Sequence, residues 1–238
     1  MCEICGGDDK SHEHDTSGRA VIEVEQDVLA RNNLLAARNR GYLAERGIFC
    51  LNMMSSPGAG KTTLLEKTIA RLKEKIDIAV IEGDQQTDND AQRIAAQGVP
   101  AFQINLGVGC HLEAESVYQA LEHLNPHPGS LLFIENVGNL ICPAMFDLGE
   151  AARVVITSVT EGDDKPLKYP HMFQMGEICL INKIDLLPYL HSDINVLREN
   201  LRKINPRQQI FEVSASSGAG LDDWCAWLLR KAAPGRQG

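Results

Sequence analysis

Residues 55–63 read Ser-Ser-Pro-Gly-Ala-Gly-Lys-Thr-Thr and contain the residue types that can hold a chain of phosphates. The two glycines let consecutive backbone N–H groups curl around a phosphate, Lys61 adds a positive charge, and the hydroxyl of Thr62 can bind Mg²⁺. The usual pattern begins with Gly, whereas this chain has Ser55 there. The run follows an apolar stretch and opens a helical pattern, as phosphate-binding loops do. We therefore predict a nucleotide site, rather than a ligand-free turn, formed by Gly58, Ala59, Gly60, Lys61, Thr62 and Thr63.

Two carboxylates stand where later apolar stretches end: Asp84 in Gly-Asp-Gln-Gln-Thr, and Glu135 in Glu-Asn-Val-Gly. Such groups can hold Mg²⁺ beside the β- and γ-phosphates, while the backbone N–H of Gly138 can detect loss of the γ-phosphate. The alternatives are a helix N-cap at Asp84 and a solvated turn at Glu135. We predict Lys61, Asp84 and Glu135 as catalytic residues, with Thr62, Asp84 and Glu135 around Mg²⁺ and Asp84 positioning the attacking water. Turnover should be slow, because no arginine finger or water-positioning Gln stands beside Glu135.

The run Asn182-Lys-Ile-Asp185 follows another apolar stretch and has the groups that recognise guanine. Guanine presents N1–H and N2–H₂ donors on one edge, and the carboxylate of Asp185 can accept both. Adenine would leave that carboxylate unpaired. Asn182 can either reach N7 or tie the strand to a loop, and the aliphatic stem of Lys183 can cover the base. With a backbone N–H near Ser214 and Ala215 directed at O6, these residues predict GTP and GDP as ligands.

A second kind of chemistry is indicated by Cys110 and His111, which are adjacent, and by Cys142, seven residues after Glu135. Two thiolates and one imidazole are ligands of the softness that Ni²⁺ and Zn²⁺ prefer. A fourth ligand could come from water or a second subunit, so we expect metal binding and dimer formation to be linked. The alternative is a pair of buried thiols beside a hydrogen-bonded histidine. Because Cys142 lies close to Glu135 in sequence, we also expect the nucleotide state to affect the metal.

The other cysteines fall into two groups. Cys2 and Cys5 have Cys-x-x-Cys spacing and are predicted as further metal ligands, with nearby histidines either completing the site or solvated. Cys50, Cys179 and Cys225 lie in apolar stretches, and we expect them simply to be packed in the core.

The elements that must position these residues alternate along the chain. Apolar stretches predict strands at 48–54, 76–81, 101–106, 131–135, 153–158, 178–181 and 209–213. Helical spacing predicts helices at about 61–74, 88–97, 112–124, 192–204 and 219–232. This alternation favours an α/β fold with a mostly parallel central sheet and helices on both faces. Ligands of such folds bind at the carboxyl ends of the strands, where the motifs fall.

We predict three parts in the chain: residues 1–20 as a flexible N-terminal metal-binding tail, 21–46 as an amphipathic helix packed on the following domain, and 47–238 as the GTP-binding domain. In the helix, Val28, Leu35 and Tyr42 share one face, with Leu29 and Leu43 beside them. A net charge of −9 without a basic patch argues against nucleic acid as a partner. No apolar run approaches the roughly 20 residues of a membrane span. The N-terminus lacks a signal pattern, so we expect a cytoplasmic protein without membrane contact.

The conjunction of these motifs, with Gly-Cys-His-Leu-Glu and Glu-Asn-Val-Gly-Asn-Leu, closely resembles the HypB family, GTPases that help to load nickel into nickel-iron hydrogenase. The likeness extends from about Val21 to the C-terminus and includes Ser55, since the family's loop has the same opening. It implies a P-loop GTPase of the metallochaperone branch, with Cys110, His111 and Cys142 as a nucleotide-responsive metal site. It further implies a GTP-dependent homodimer, a HypA-type metallochaperone as partner, and the hydrogenase large subunit precursor as recipient.

Two rival functions are weighed against this resemblance. A urease-type nickel-maturation GTPase is expected to carry Cys-Pro-His where this chain has Gly-Cys-His-Leu-Glu, so the motif favours hydrogenase. A nucleotide-regulated metal store or sensor would bind nucleotide without turning it over. At the N-terminus, some family members carry Cys-x-x-Cys-Gly-Cys, whereas Gly7 stands here in the third cysteine position.

Overall fold

The computed structural model describes residues 16–84, 89–107 and 109–233. Its strands are β1 (Phe49–Ser55), β2 (Ile78–Asp84), β3 (Ala101–Asn105), β4 (Leu131–Gly138), β5 (Ala152–Ser158), β6 (Ile178–Asn182) and β7 (Gln209–Glu212). They form one sheet in the order β3-β2-β4-β1-β5-β6-β7, with every neighbouring pair parallel. The seven predicted strands and the parallel α/β sheet are thereby confirmed.

The helices are α1 (Thr16–Glu45), α2 (Lys61–Leu72), α3 (Asn89–Ala95), α4 (Ala114–Leu124), α5 (Cys142–Met145), α6 (Lys165–Lys168), α7 (Pro170–Met175), α8 (Ile194–Ile204) and α9 (Leu221–Ala232), with a 3₁₀ turn at Ile184–Tyr189. The short helices α5, α6 and α7 were not predicted, because four to six residues are too few to show helical periodicity. Each has a proline in its first turn, where a fixed φ suits a helix start. Within the described part of the chain, no helix is long and apolar enough to cross a membrane.

The core lies on both faces of the sheet because side chains alternate along each strand. In β1, Leu51 and Met53 pack towards α2 and α9, whereas Cys50 packs on the other face with residues of α4. All seven residues of β1 are buried, as expected for a central strand covered on both sides. Cys50, Cys179 and Cys225 are buried, which confirms their predicted packing role, and burial raises the pKa of the Cys50 and Cys179 thiols.

Helix α1 differs from the prediction in its start and in its buried face. It begins at Thr16, inside the segment predicted as tail, because a helix start among polar residues leaves no apolar pattern to read. Of the predicted face, Leu43 is buried and Leu29, Leu35 and Tyr42 are half-buried, whereas Val28 is 47% exposed. The other buried positions are Asn32, Ala36 and Asn39, so the buried face is shifted from the predicted one. The Asn39 amide donates to the Ala114 carbonyl at 2.8 Å and to the Leu148 carbonyl at 3.0 Å. Hydrogen bonds to the backbone of α4 and of the segment before β5 therefore help to fix this helix.

Candidate nucleotide and metal sites

A cavity of about 630 Å³ opens at the carboxyl ends of β1, β2 and β4. Parallel strands all end at this edge, which is why residues far apart in sequence meet there. Among the predicted residues, the cavity wall contains Gly58, Gly60, Lys61, Thr62, Thr63, Asp84, Gly138 and Lys183. Ala59 is buried beneath the loop. The residues after Asp84, 85–88, lie outside the described part, so its predicted N-cap alternative is not addressed.

The loop between β1 and α2 has the backbone shape that an anion requires. Gly58 and Gly60 have φ values of 79° and 94°, in the left-handed region that favours glycine. A Cβ on Gly60 would lie 2.5 Å from the side-chain nitrogen of Asn182, so no other residue fits. Helix α2 starts at Lys61 without a side-chain cap, which leaves its first N–H groups directed at the cavity.

A buried carboxylate lies under the start of α2. The ammonium of Lys61 and the hydroxyl of Thr62 each donate to Oε1 of Glu135 at 2.6 Å. Glu135 is 1% exposed, so the alternative of a solvated turn was wrong; β4 continues to Gly138 and keeps the residue inside the sheet. Its other oxygen, Oε2, is buried and accepts no hydrogen bond from any described residue. An orphaned carboxylate oxygen beside a threonine hydroxyl fits a Mg²⁺ ion, which prefers oxygen ligands.

The predicted base-binding residues lie against the far side of the loop. Asn182 is buried; its amide donates to the Ala59 carbonyl at 2.9 Å and its Oδ1 accepts from the Ala215 N–H at 3.1 Å. This is the second of its two predicted roles, tying strand to loop. Lys183 lies across the loop with its ammonium 2.7 Å from the Gly58 carbonyl. The Ser214 hydroxyl donates to Asp185 at 2.5 Å, which orients that carboxylate.

Two contributors to this cavity were missed by sequence reasoning. Arg93 of α3 lines the cavity, donating to Thr63 at 3.3 Å and pairing with Glu66 at 2.6 Å. In sequence Arg93 is far from Glu135, and its position on the first helix after Asp84 is the signal that could have indicated it. Asn139, directly after β4, also lines the cavity. It directly follows Gly138 in the Glu-Asn-Val-Gly-Asn-Leu motif, which is the signal that could have indicated it.

The predicted soft ligands come together beside this cavity. The ligand atoms of Cys110, His111 and Cys142 all lie within 4.8 Å of one another. The Cys110 sulfur is 3.4 Å from Nδ1 of His111, whose ring stacks on Phe146 with centroids 3.7 Å apart. Nε2 of His111 is buried without a hydrogen bond to the described residues, and the nearest carboxylate, of Glu113, is 3.8 Å away. His111 thus has a partner for Nδ1 but none for Nε2 among the described residues, and the three ligand atoms are close enough together to bind one metal ion.

The protonation states of these groups suit a metal site. Burial lowers the pKa of His111, so the imidazole is neutral and able to coordinate at neutral pH. A hydrogen bond with Cys142, together with burial, raises the pKa of the Cys110 thiol. A metal must therefore displace a thiol proton when it binds. The further ligands predicted at Cys2 and Cys5 lie outside the described residues.

Four polar side chains run beneath the metal cluster: Asn136, Asn52, Glu150 and Arg153. Asn136 accepts from the backbone N–H of Leu112 at 3.4 Å and donates to Asn52 at 3.2 Å. Asn52 donates to Glu150 at 3.3 Å, and Arg153 donates to Glu150 at 2.7 Å. Arg153 then reaches the Ala144 carbonyl in α5 at 3.1 Å. This buried chain links the loop of His111 to the helix of Cys142.

The fold and the phosphate cavity define a P-loop nucleotide-binding protein. A family model described as "CobW/HypB/UreG, nucleotide-binding domain" matches residues 50–212. The hydrogenase maturation factor HypB of Escherichia coli strain K12 is 54% identical over 222 residues, covering 93% of this chain and 77% of that protein.

Two solved structures are also similar. HypB from Archaeoglobus fulgidus has a TM-score of 0.81 at 40% identity, covering 86% of this chain and 100% of that one. HypB from Helicobacter pylori in complex with nickel has a TM-score of 0.78 at 39% identity, covering 85% of this chain and 95% of that one. The chain belongs to the HypB hydrogenase maturation factors, within the CobW/HypB/UreG family of P-loop GTPases. The resemblance found in the sequence is thereby confirmed.

Proposed function

We propose that this chain hydrolyses GTP slowly with Mg²⁺, that it binds nickel or zinc, and that it couples its GTP cycle to the delivery of nickel into nickel-iron hydrogenase. The observation that carries the proposal is that residues of β4 and of the segment directly after it contribute to both sites. Glu135 of β4 contacts the phosphate loop, and Cys142, seven residues later, belongs to the soft-ligand cluster. A change at the phosphates is thus only a short segment away from a metal ligand.

The contacts support the following roles in hydrolysis. The N–H groups at the start of α2 and the ammonium of Lys61 hold the phosphates, and Lys61 exchanges Glu135 for phosphate when nucleotide binds. Thr62, Asp84 and Glu135 would hold Mg²⁺, which neutralises charge on the β- and γ-phosphate oxygens. Asp84 positions the attacking water. Asp185, oriented by Ser214, accepts both donors of the guanine edge and selects GTP over ATP.

The metal is the cargo in this proposal. Cys110, His111 and Cys142 supply three ligands, and a second copy of the chain or a water supplies the fourth, so GTP-dependent dimerisation and metal binding are linked. Support comes from the Helicobacter pylori relative, whose solved structure is a complex with nickel. We propose a HypA-type metallochaperone as partner, the hydrogenase large subunit precursor as recipient, and the cytoplasm as location.

The experiment combines turnover with metal titration. GTP hydrolysis with Mg²⁺ should exceed that in buffer alone, and the affinity for Ni²⁺ and Zn²⁺ should differ between GDP and a non-hydrolysable GTP analogue. Cys142→Ala should weaken metal binding, whereas the control Cys225→Ala, which removes a core thiol far from the cluster, should retain it. Absence of hydrolysis would favour a nucleotide-regulated metal store or sensor. Equal metal affinity in the two nucleotide states would reject the coupling.

A further inference from the structure

Asn139 is placed between the two sites. Its side chain lines the nucleotide cavity and is half-buried. Its amide nitrogen donates to the backbone carbonyl of Cys110 at 3.2 Å, and its amide oxygen accepts from the N–H of Ile141 at 2.9 Å. One side chain thus bonds the backbone of a metal ligand in one loop and the residue directly before Cys142 in the other.

The residue before Asn139 is packed against the phosphate loop. A Cβ placed on Gly138 would meet Pro57 at 3.1 Å from Cγ and 3.2 Å from Cα and N. Contacts this tight leave little space between the end of β4 and the loop. When the phosphate loop or a γ-phosphate displaces Gly138, the adjoining Asn139 has to move with it.

The two hydrogen bonds of Asn139 convert such a movement into a change at the ligands. A shift of its side chain pulls on the Cys110 carbonyl and on the Ile141 N–H together, so the separation of the two ligand-bearing segments changes. The buried chain through Glu150 ends at Leu112 and Ala144 and connects the same two segments, but its residues do not line the nucleotide cavity. Of these two links between the ligand loops, the one through Asn139 is the one that borders the nucleotide cavity.

We propose that Asn139 is the positioning residue through which the nucleotide state sets the geometry, and hence the affinity, of the Cys110, His111 and Cys142 site. The inference rests on the nucleotide-dependent metal control proposed above and assigns it to one side chain. Asn139 need not touch the metal or the phosphates; it acts through the backbone of the ligand loops.

The test measures Ni²⁺ and Zn²⁺ dissociation constants of the full chain by competition with a chelating dye, with GDP and with a non-hydrolysable GTP analogue at saturation. The readout is the ratio of the two constants, which a general loss of stability would not move. Coupling between sites is typically about 5- to 150-fold. Asn139→Ala should bring the ratio to about one, whatever the absolute affinities become.

Asn139→Asp tests the same link at unchanged side-chain size, because it keeps the acceptor for Ile141 and removes the donor to Cys110. This variant should also bring the ratio of the two dissociation constants to about one. The control is Asn105→Ala, which removes an asparagine at the same sheet edge whose side chain accepts from the Gly107 N–H. This control should keep the wild-type ratio. If the wild-type protein itself gives a ratio of one, the proposed function is rejected. If either Asn139 variant keeps the ratio of the wild-type protein, or if Asn105→Ala also brings the ratio to about one, only the role of Asn139 is overturned.

Discussion

The replacement Glu135→Gln separates the two roles proposed for this carboxylate. In the wild-type chain, Oε1 accepts from Lys61 and Thr62, both at 2.6 Å, and the Lys61 and Glu135 side chains are 11% and 2% exposed. Glutamine keeps the shape and an acceptor oxygen but removes the negative charge. Lys61 is then left as a buried cation without a counter-charge until a phosphate binds.

The magnitude follows from that change. Removing one partner of a buried ion pair costs about 3–5 kcal/mol. The amide oxygen still accepts hydrogen bonds worth about 1 kcal/mol, so we expect a loss of about 3 kcal/mol in the nucleotide-free chain. Bound GDP restores a counter-charge to Lys61, and the loss should shrink to about 1 kcal/mol. The difference of about 2 kcal/mol corresponds to roughly 30-fold tighter GDP binding by the variant when Mg²⁺ is chelated.

The assay is urea unfolding with and without GDP, and calorimetric GDP titration, both in EDTA and in Mg²⁺. With Mg²⁺ the wild type should bind GDP more tightly than the variant, because Glu135 provides a Mg²⁺ ligand that the variant lacks. The matched control is Glu115→Gln, whose ion pair with Arg31 is half or more exposed and should matter by no more than about 0.5 kcal/mol. If the variant binds GDP more weakly than wild type in EDTA, competition between Glu135 and phosphate for Lys61 is refuted.

Two more predictions concern recognition of the guanine base and stability at low pH. Asp185→Asn removes the acceptor for two guanine donors, so GDP affinity should fall about 100-fold or more, while xanthine nucleotides, whose C2 carbonyl accepts from the amide, should gain; fluorescence competition measures both. An unchanged preference for guanine would contradict the base site. For Asp147, burial opposes ionisation but hydrogen bonds from Arg40 and the Gly149 N–H prevail and lower its pKa. Its folded-state pKa thus lies below the unfolded value of about 3.9, so its stabilisation is present above pH 4 and disappears as pH falls further. Because Arg40 is half-exposed, Asp147→Asn should cost about 1 kcal/mol or less at pH 7. Unfolding free energies of wild type and variant should converge in acid; a gap that persists at pH 2 would contradict the assignment.

The sequence predicted the sheet and the site because both depend on short-range pattern. Residues 178–181 are apolar and the polar Asn182 follows, so a strand end and a ligand-side residue could be read together. What Asn182 bonds could not be read, since its partners Ala59 and Ala215 are 123 and 33 residues away. The burial of Glu135 likewise depends on Lys61, 74 residues earlier.

The errors about helix α1 and about the buried polar residues share one physical cause. A polar residue is expected to be exposed when only the pattern of apolar and polar residues in the sequence is considered. Helix α1 is fixed by Asn32 and Asn39, and the apolar pattern therefore predicted a face that is shifted from the buried one. Glu150 and Arg153 were passed over for the same reason, although they are joined by a 2.7 Å ion pair with side chains 3% and 11% exposed. Burial of such groups is satisfied by hydrogen bonds that only the fold brings together.

Strand β4 explains why a phosphate site and a metal site can be coupled in so small a domain. It lies between β2 and β1, and successive side chains on a strand face opposite sides. Glu135 therefore bonds the phosphate loop, whereas Asn136, the next residue, bonds the backbone beside His111. Asn139 then bonds both ligand loops at the end of the strand. Because these contacts belong to one rigid strand and its first loop, we expect the spacing from Glu135 to Cys142, more than any single ligand, to determine how strongly nucleotide controls metal.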